Sequence, residues 1–133
     1  MKIIDAKDTI LGRLAAYTAK EALKGEEIAI VNCEKVLITG NKNHIIQGFR
    51  AKRQRVGTTQ KGPKYSLSID RIVKRTIRGM LPNARRGGRG RDALKRIKCY
   101  IGIPPEFENS KKESMKKRTA RNSHELGEIM HEY

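Results

Sequence analysis

The chain has no tryptophan, only 5% aromatic residues, two cysteines and three histidines. Each scarcity excludes something. Cys33 and Cys99 are too far apart for a zinc pair and too few for a disulfide framework, so they are expected to be small, reduced core residues. His44, His124 and His131 follow no metal-ligand pattern, and H-E-x-x-H is absent. No apolar run approaches the roughly 20 residues of a membrane-spanning helix. Met1-Lys2-Ile3-Ile4-Asp5 has no apolar signal region, so a cytoplasmic protein is expected. G-x-G-x-x-G and G-x-x-x-x-G-K-[ST] are also missing, which argues against a dinucleotide or P-loop site. Asp5 and Asp8 are an unconvincing catalytic carboxylate pair, because capping is the commoner task of an acid before a helix. No enzyme, metal or cofactor is expected.

What the sequence has in excess is positive charge. Thirty Lys and Arg stand against 14 Asp and Glu, a net charge of +16 over 133 residues. Residues 1–49 carry seven basic and six acidic groups, and residues 99–133 carry six of each. Residues 50–98 carry seventeen basic and two acidic, so almost the whole excess lies there. Charge of one sign at that density repels itself unless a polyanion neutralises it. A nucleic acid is the expected partner. An anionic membrane is second, and no strongly basic helix with exposed bulky aromatics supports it.

The length suits one domain spanning 1–133. Residues 2–6 read as a short strand, with Asp8 or Thr9 as the cap of a helix. Leu11, Leu14, Ala15, Thr18 and Ala22 recur at helical spacing, and Gly25 ends the run. Residues 27–32 form an apolar, β-branched run that fits a strand buried on both faces. Residues 35–39 read as a third strand broken by Gly40-Asn41, and Ile45, Ile46 and Phe49 as one stripe of a second helix. Residues 50–64 read as a basic loop excursion. Ser68 is the expected cap of the cleanest amphipathic helix, with Ile69, Ile72, Val73, Thr76, Ile77 and Met80 on one face and Arg71, Lys74, Arg75 and Arg78 on the other. Residues 83–91 form an Arg/Gly-rich turn with almost nothing to bury, and Asp92 is the expected start of a short helix. Residues 97–101 form a fourth strand, and the 106–133 tail has few apolar residues and a final short helix capped by Ser123. Strands alternating with helices predict an α/β fold with a mainly parallel sheet.

Arginine grips phosphate oxygens with a planar fork, and glycine lets a backbone lie close to a sugar-phosphate chain. The 83–91 turn beside the charged face of the 68–79 helix is therefore the leading binding candidate. Lys42 and Arg13 follow strand ends, where free backbone N–H groups suit anions. Phe49 and Tyr65 flank the basic loop but pair with nothing on adjacent strands, so base stacking is expected to be secondary to shape and backbone recognition of paired RNA.

Three stretches resemble the universal large-subunit ribosomal protein thirteen family. These are Ile4-Asp5-Ala6-Lys7-Asp8-Thr9-Ile10-Leu11-Gly12-Arg13-Leu14-Ala15, then Ile30-Val31-Asn32-Cys33-Glu34-Lys35-Val36-Leu37-Ile38-Thr39-Gly40-Asn41-Lys42, and Arg78-Gly79-Met80-Leu81-Pro82 running on to Lys98-Cys99-Tyr100-Ile101-Gly102. The compact start and the Ile103-Pro104-Pro105 ending resemble the archaeal and eukaryotic branch, and the lack of the long extra C-terminal helices of eukaryotes favours an archaeal type. The resemblance implies a three-layer α/β/α fold with a four-stranded parallel sheet, no active site, and a structural role in ordering large-subunit ribosomal RNA beside neighbouring ribosomal proteins, as a monomer within the ribosome. It carries Lys42, Arg78, Arg85, Arg86, Arg89 and Arg91 over as RNA-facing residues. Charge and position add Arg50, Lys52, Arg53, Arg55, Lys61, Lys64, Arg71, Lys74, Arg75 and Lys95 to the candidates.

Overall fold

The computed structural model describes residues 1–55, 64–84, 86–115 and 120–133. Its centre is a parallel sheet built from β1 (Lys2–Asp5), β2 (Ile28–Val31), β4 (Ile97–Cys99) and β5 (Glu113–Ser114), in the spatial order β4-β2-β1-β5. Ile4 is in register with Ile30 and Ile3 with Ala29, so neighbouring residues point to opposite faces. All four residues of β2 are buried, the pattern of a strand covered on both sides.

Each face has its own core. Ile4, Ile28 and Ile30 pack under α1 (Leu11–Leu23), α3 (Ile69–Gly79) and α4 (Arg89–Lys95) through Leu14, Ala15, Ile72, Val73, Ile77 and Ala93. On the other face Ile3, Ala29 and Val31 lie under Phe107, from the 3₁₀ turn Pro105–Phe107, with Tyr100 packed edge-on to the Phe107 ring. The α/β class and the four-stranded parallel sheet match the sequence expectation.

Several local expectations are corrected. The first helix is capped by the backbone of Ile10, not by Asp8 or Thr9. Asp5 instead organises the turn, its Oδ1 accepting from the Lys7 N–H at 3.0 Å and from Asn32 Nδ2 at 2.9 Å. The 35–39 strand shortens to β3 (Leu37–Thr39) and leaves the main sheet. Asn32, left-handed at φ 57°, turns the chain into a 3₁₀ turn at Cys33–Lys35, and β3 then pairs antiparallel with β6 (Ser123–Glu125). The fourth strand of the sheet is β5 from the tail. Ser123 lies in β6, and α5 (Leu126–Glu132) begins from Glu125. The tail is not thinly packed, since Leu126 and Ile129 are wholly buried in the helical core.

Two more corrections bear on charge. α2 runs Lys42–Gln54, so the basic excursion does not begin at 50; Arg50, Lys52 and Arg53 are helical, and Arg55 follows the last turn. α4 begins at Arg89, three residues before Asp92, and Gly90 is buried within it. The 83–91 segment is therefore a turn feeding a packed helix. Cys33 is buried and Cys99 half-buried, both as free thiols. The neighbouring Cys99 and burial hold the Cys33 thiol well above its ordinary range.

Candidate nucleic-acid interface

The amphipathic pattern of α3 sorts its side chains as expected except at its end, where Met80, expected on the apolar face, is exposed. Ile72, Val73 and Ile77 are buried, while Arg71, Lys74, Arg75 and Arg78 stand at i, i+3, i+4 and i+7 on the outer face. Met80 caps the helix end through its backbone, and Leu81 drops into the core, which anchors the following turn. Asn83 takes the left-handed conformation at φ 48°, and Gly88 caps α4 at φ 84°. The turn closes tightly: a Cβ on Gly90 would stand 1.8 Å from the Pro82 carbonyl oxygen.

This framework makes two adjoining clefts. One, of about 560 Å³, is lined by Arg75, Arg78, Gly79, Leu81, Asn83, Ala84 and Arg86. The other, of about 430 Å³, is lined by Lys74, Arg78, Ala84, Arg91, Leu94 and Lys95. Arg78 and Ala84 form the shared wall. The ion pairs found between described residues use Lys2, Lys24 and Lys42. None of them involves Lys74, Arg75, Arg78, Arg86, Arg91 or Lys95, so these six cations face the clefts without a paired carboxylate among the described residues. Such an array attracts anions, and the guanidinium forks suit phosphate oxygens.

Similarity to known proteins fits this geometry. The family model described as "Ribosomal protein L13" matches residues 1–106. The chain belongs to the ribosomal protein L13 family. It is 50% identical over 111 residues to the large ribosomal subunit protein uL13 of Methanosarcina barkeri, covering 83% of this chain and 77% of that protein. With the uL13 of Methanocaldococcus jannaschii it shares 44% identity over 124 residues, 91% of this chain and 89% of the relative. With that of Thermoplasma acidophilum the figure is 44% over 115 residues, 86% and 82% respectively. These relatives are archaeal, in keeping with the Ile103-Pro104-Pro105 segment. The L13 family consists of structural proteins of the large ribosomal subunit and is not enzymatic. No helix among the described residues is long and apolar enough to cross a membrane.

Within this L13 chain the other predicted residues have varied surroundings. Lys42 begins α2 behind the Asn41 cap, whose Oδ1 accepts from the Asn43 N–H at 3.0 Å. Its ammonium is taken by two carboxylates of α5, Glu128 at 2.7 Å and Glu132 at 2.5 Å. Those hydrogen bonds raise the Lys42 pKa, and Lys42 in turn lowers that of Glu128. Arg50 donates to the Tyr133 carbonyl at 3.4 Å and lies 5.8 Å from that ring. Arg89 donates to the Leu23 carbonyl at 3.2 Å, tying α4 to the negative end of α1. Lys52, Arg53, Arg55, Lys64 and Arg71 are exposed and do not line either cleft. Arg13 is an exposed residue of the first turn of α1. Lys61 and Arg85 lie outside the described residues.

Sequence reasoning missed one feature. Phe49 and Tyr65 come from different segments yet approach to 6.4 Å between ring centroids. Arg75 lies over the Tyr65 ring at 3.9 Å, and Lys52 lies 5.7 Å from Phe49 and 5.8 Å from Tyr65. The only sequence signal was that both aromatics border the basic stretch; their meeting depends on how α2 packs near α3.

Proposed function

We propose that this L13-family protein binds and orders large-subunit ribosomal RNA through phosphate contacts, during assembly and in the mature ribosome, as a monomer among neighbouring ribosomal proteins. The observation that carries this reading is the pair of clefts sharing Arg78, lined by six cations with no paired carboxylate among the described residues. Five of the cations are mounted on α3 and α4, whose opposite faces are buried, and Arg86 stands on the turn between them, so most of their spacing is held before RNA arrives and little ordering entropy opposes binding. Each phosphate neutralised releases condensed counterions, which drives association and makes it salt-dependent.

The test is a salt series of binding to purified large-subunit ribosomal RNA, against an equal mass of duplex DNA. A contact set of roughly 6–10 phosphates loses about 10³–10⁵-fold in affinity between 50 and 200 mM salt. The expected result is an RNA-selective component that survives at 200 mM with a unique footprint. Arg78→Ala is expected to weaken binding and to flatten the salt slope by about one phosphate. Arg78→Lys restores the charge without the fork and is expected to recover the slope but only part of the affinity. Equal loss of RNA and DNA with no footprint would overturn the reading.

A further inference from the structure

We infer that the cleft between α2 and α3 receives one unpaired nucleobase, whose own backbone phosphate lies on the arginine clefts next door. This inference rests on the RNA-binding reading and adds a base-binding site to it.

The cleft holds about 310 Å³ and is lined by Leu11, Ile38, His44, Ile45, Gly48, Phe49, Lys52, Tyr65, Ile72 and Thr76. Its walls are mostly apolar, with two aromatic rings and a few polar groups at hand. That is the composition of a site for a flat, partly polar ring system. The volume is at the lower end of small-molecule pockets, room for one ring system and not an extended ligand. Thr76 Oγ1 donates to the Ile72 carbonyl at 3.0 Å, which occupies its hydrogen and leaves its lone pairs able to accept. His44 supplies ring nitrogens, and Lys52 a cation.

What selects a nucleotide over an apolar protein side chain is the surrounding charge. Lys52 and Arg75 lie against the aromatic rings, and no acidic residue is among the described lining groups. Arg75 is the link. Its guanidinium covers the Tyr65 ring at 3.9 Å, and the same side chain lines the larger arginine cleft. A base pocket and a phosphate pocket are thus joined through the Arg75–Tyr65 contact, an arrangement suited to the two ends of one nucleotide. Sequence-tolerant RNA contact commonly combines an aromatic platform with a cation in this way. A base that is already unpaired enters without the cost of breaking a pair.

Two measurements test this. The first is NMR titration of the intact protein with 5′-AMP and 5′-UMP, with ribose 5-phosphate as the baseless control. Nucleotides are expected to shift the ring resonances of Phe49 and Tyr65, while ribose 5-phosphate shifts only the arginine clefts. Identical perturbation by all three would overturn the inference. The second compares Tyr65→Leu and Tyr65→Phe on purified large-subunit ribosomal RNA, with thermal melts to check folding. Tyr65→Leu is expected to lose about 5- to 100-fold in affinity at an unchanged salt slope, and to unmask one base to chemical modification. Tyr65→Phe is expected to keep both. If Tyr65→Leu binds RNA as the native protein does and every base reactivity is unchanged, the cleft takes no base, even if a neighbouring protein is found to fill it. In that case the Arg78 results decide the phosphate reading separately. If Arg78→Ala also has no effect, both readings fall.

Discussion

A cation matters here according to what already sits beside it. The family resemblance carries Lys42 and Arg78 over alike as RNA-facing residues, but Lys42 is held between two carboxylates while Arg78 faces two clefts with no paired carboxylate among the described residues. A phosphate approaching Lys42 must displace Glu128 and Glu132; one approaching Arg78 displaces only water and counterions. Gly90 illustrates the same dependence on surroundings. Its lack of a side chain lets α4 close on the Pro82 carbonyl, so Gly90→Ala forces backbone apart. We expect a loss of about 1–3 kcal/mol from overpacking, read in a denaturant melt. Because the displaced turn carries Asn83, Ala84 and Arg86, RNA affinity is expected to fall with it. Native stability in Gly90→Ala would show that the turn yields without resistance.

At the scale of elements, the tail is the main surprise. Ile129 is wholly buried, so Ile129→Ala is expected to cost about 2–5 kcal/mol in a thermal or urea melt, although it lies only four residues before Tyr133. The Lys42–Glu128 pair gives α5 a pH dependence. The folded pKa of Glu128 is lowered, so its contribution is present above the ordinary carboxylate value of about 4.3 and is lost as pH falls through the lower folded value. The pKa of Lys42 is raised, so the pair is intact across neutral pH and fails on the acid side. Hydrogen exchange in α5 should therefore accelerate on acidification, and the acid-dependent loss of melting temperature should be shallower in Glu128→Gln than in the native chain. Parallel curves would remove this pair as a cause.

Which elements were legible follows from where their information lies. β1, β2, α1 and α3 carry their burial in their own periodicity, and they fold where the pattern places them. β5 is two polar residues, Glu113 and Ser114, with no pattern to read. It exists because β1 offers an open edge, and because Glu113 accepts from Tyr17 and pairs with Lys2. The 35–39 segment fails in the opposite way. Its residues favour a strand, but the left-handed turn at Asn32 carries it off the main sheet. At the candidate site, the stripe on α3 was visible in one dimension. The sharing of Arg78 between clefts and the meeting of Phe49 with Tyr65 depend on tertiary packing.

For the whole molecule, charge and stability oppose each other. Net charge is +16, concentrated between residues 50 and 98, and the two arginine clefts gather six of those charges without paired carboxylates among the described residues. Self-repulsion should make the isolated protein less stable at low ionic strength. Raising sodium chloride from about 10 to 300 mM is expected to raise the melting temperature by a few degrees, on the order of 1 kcal/mol, as screening shortens from roughly 30 Å to under 10 Å. Ribosomal RNA, which would bind only the folded state tightly, should raise it further. A melting temperature indifferent to salt would mean that the folded state spreads this charge no more closely than the unfolded chain does.

The order of strands across the sheet also has a consequence in time. β1 is made long before its outer neighbour β5, and the core above the sheet is completed by Leu126 and Ile129, further downstream still. A chain emerging in sequence can assemble β1, α1 and β2 early, but one sheet edge stays unpaired and one side of the core stays open. β5 and α5, far downstream of β2, close both. The fold is therefore finished only after residues 113–132 have emerged, and until then the arginine clefts stand on a scaffold that is not yet finished.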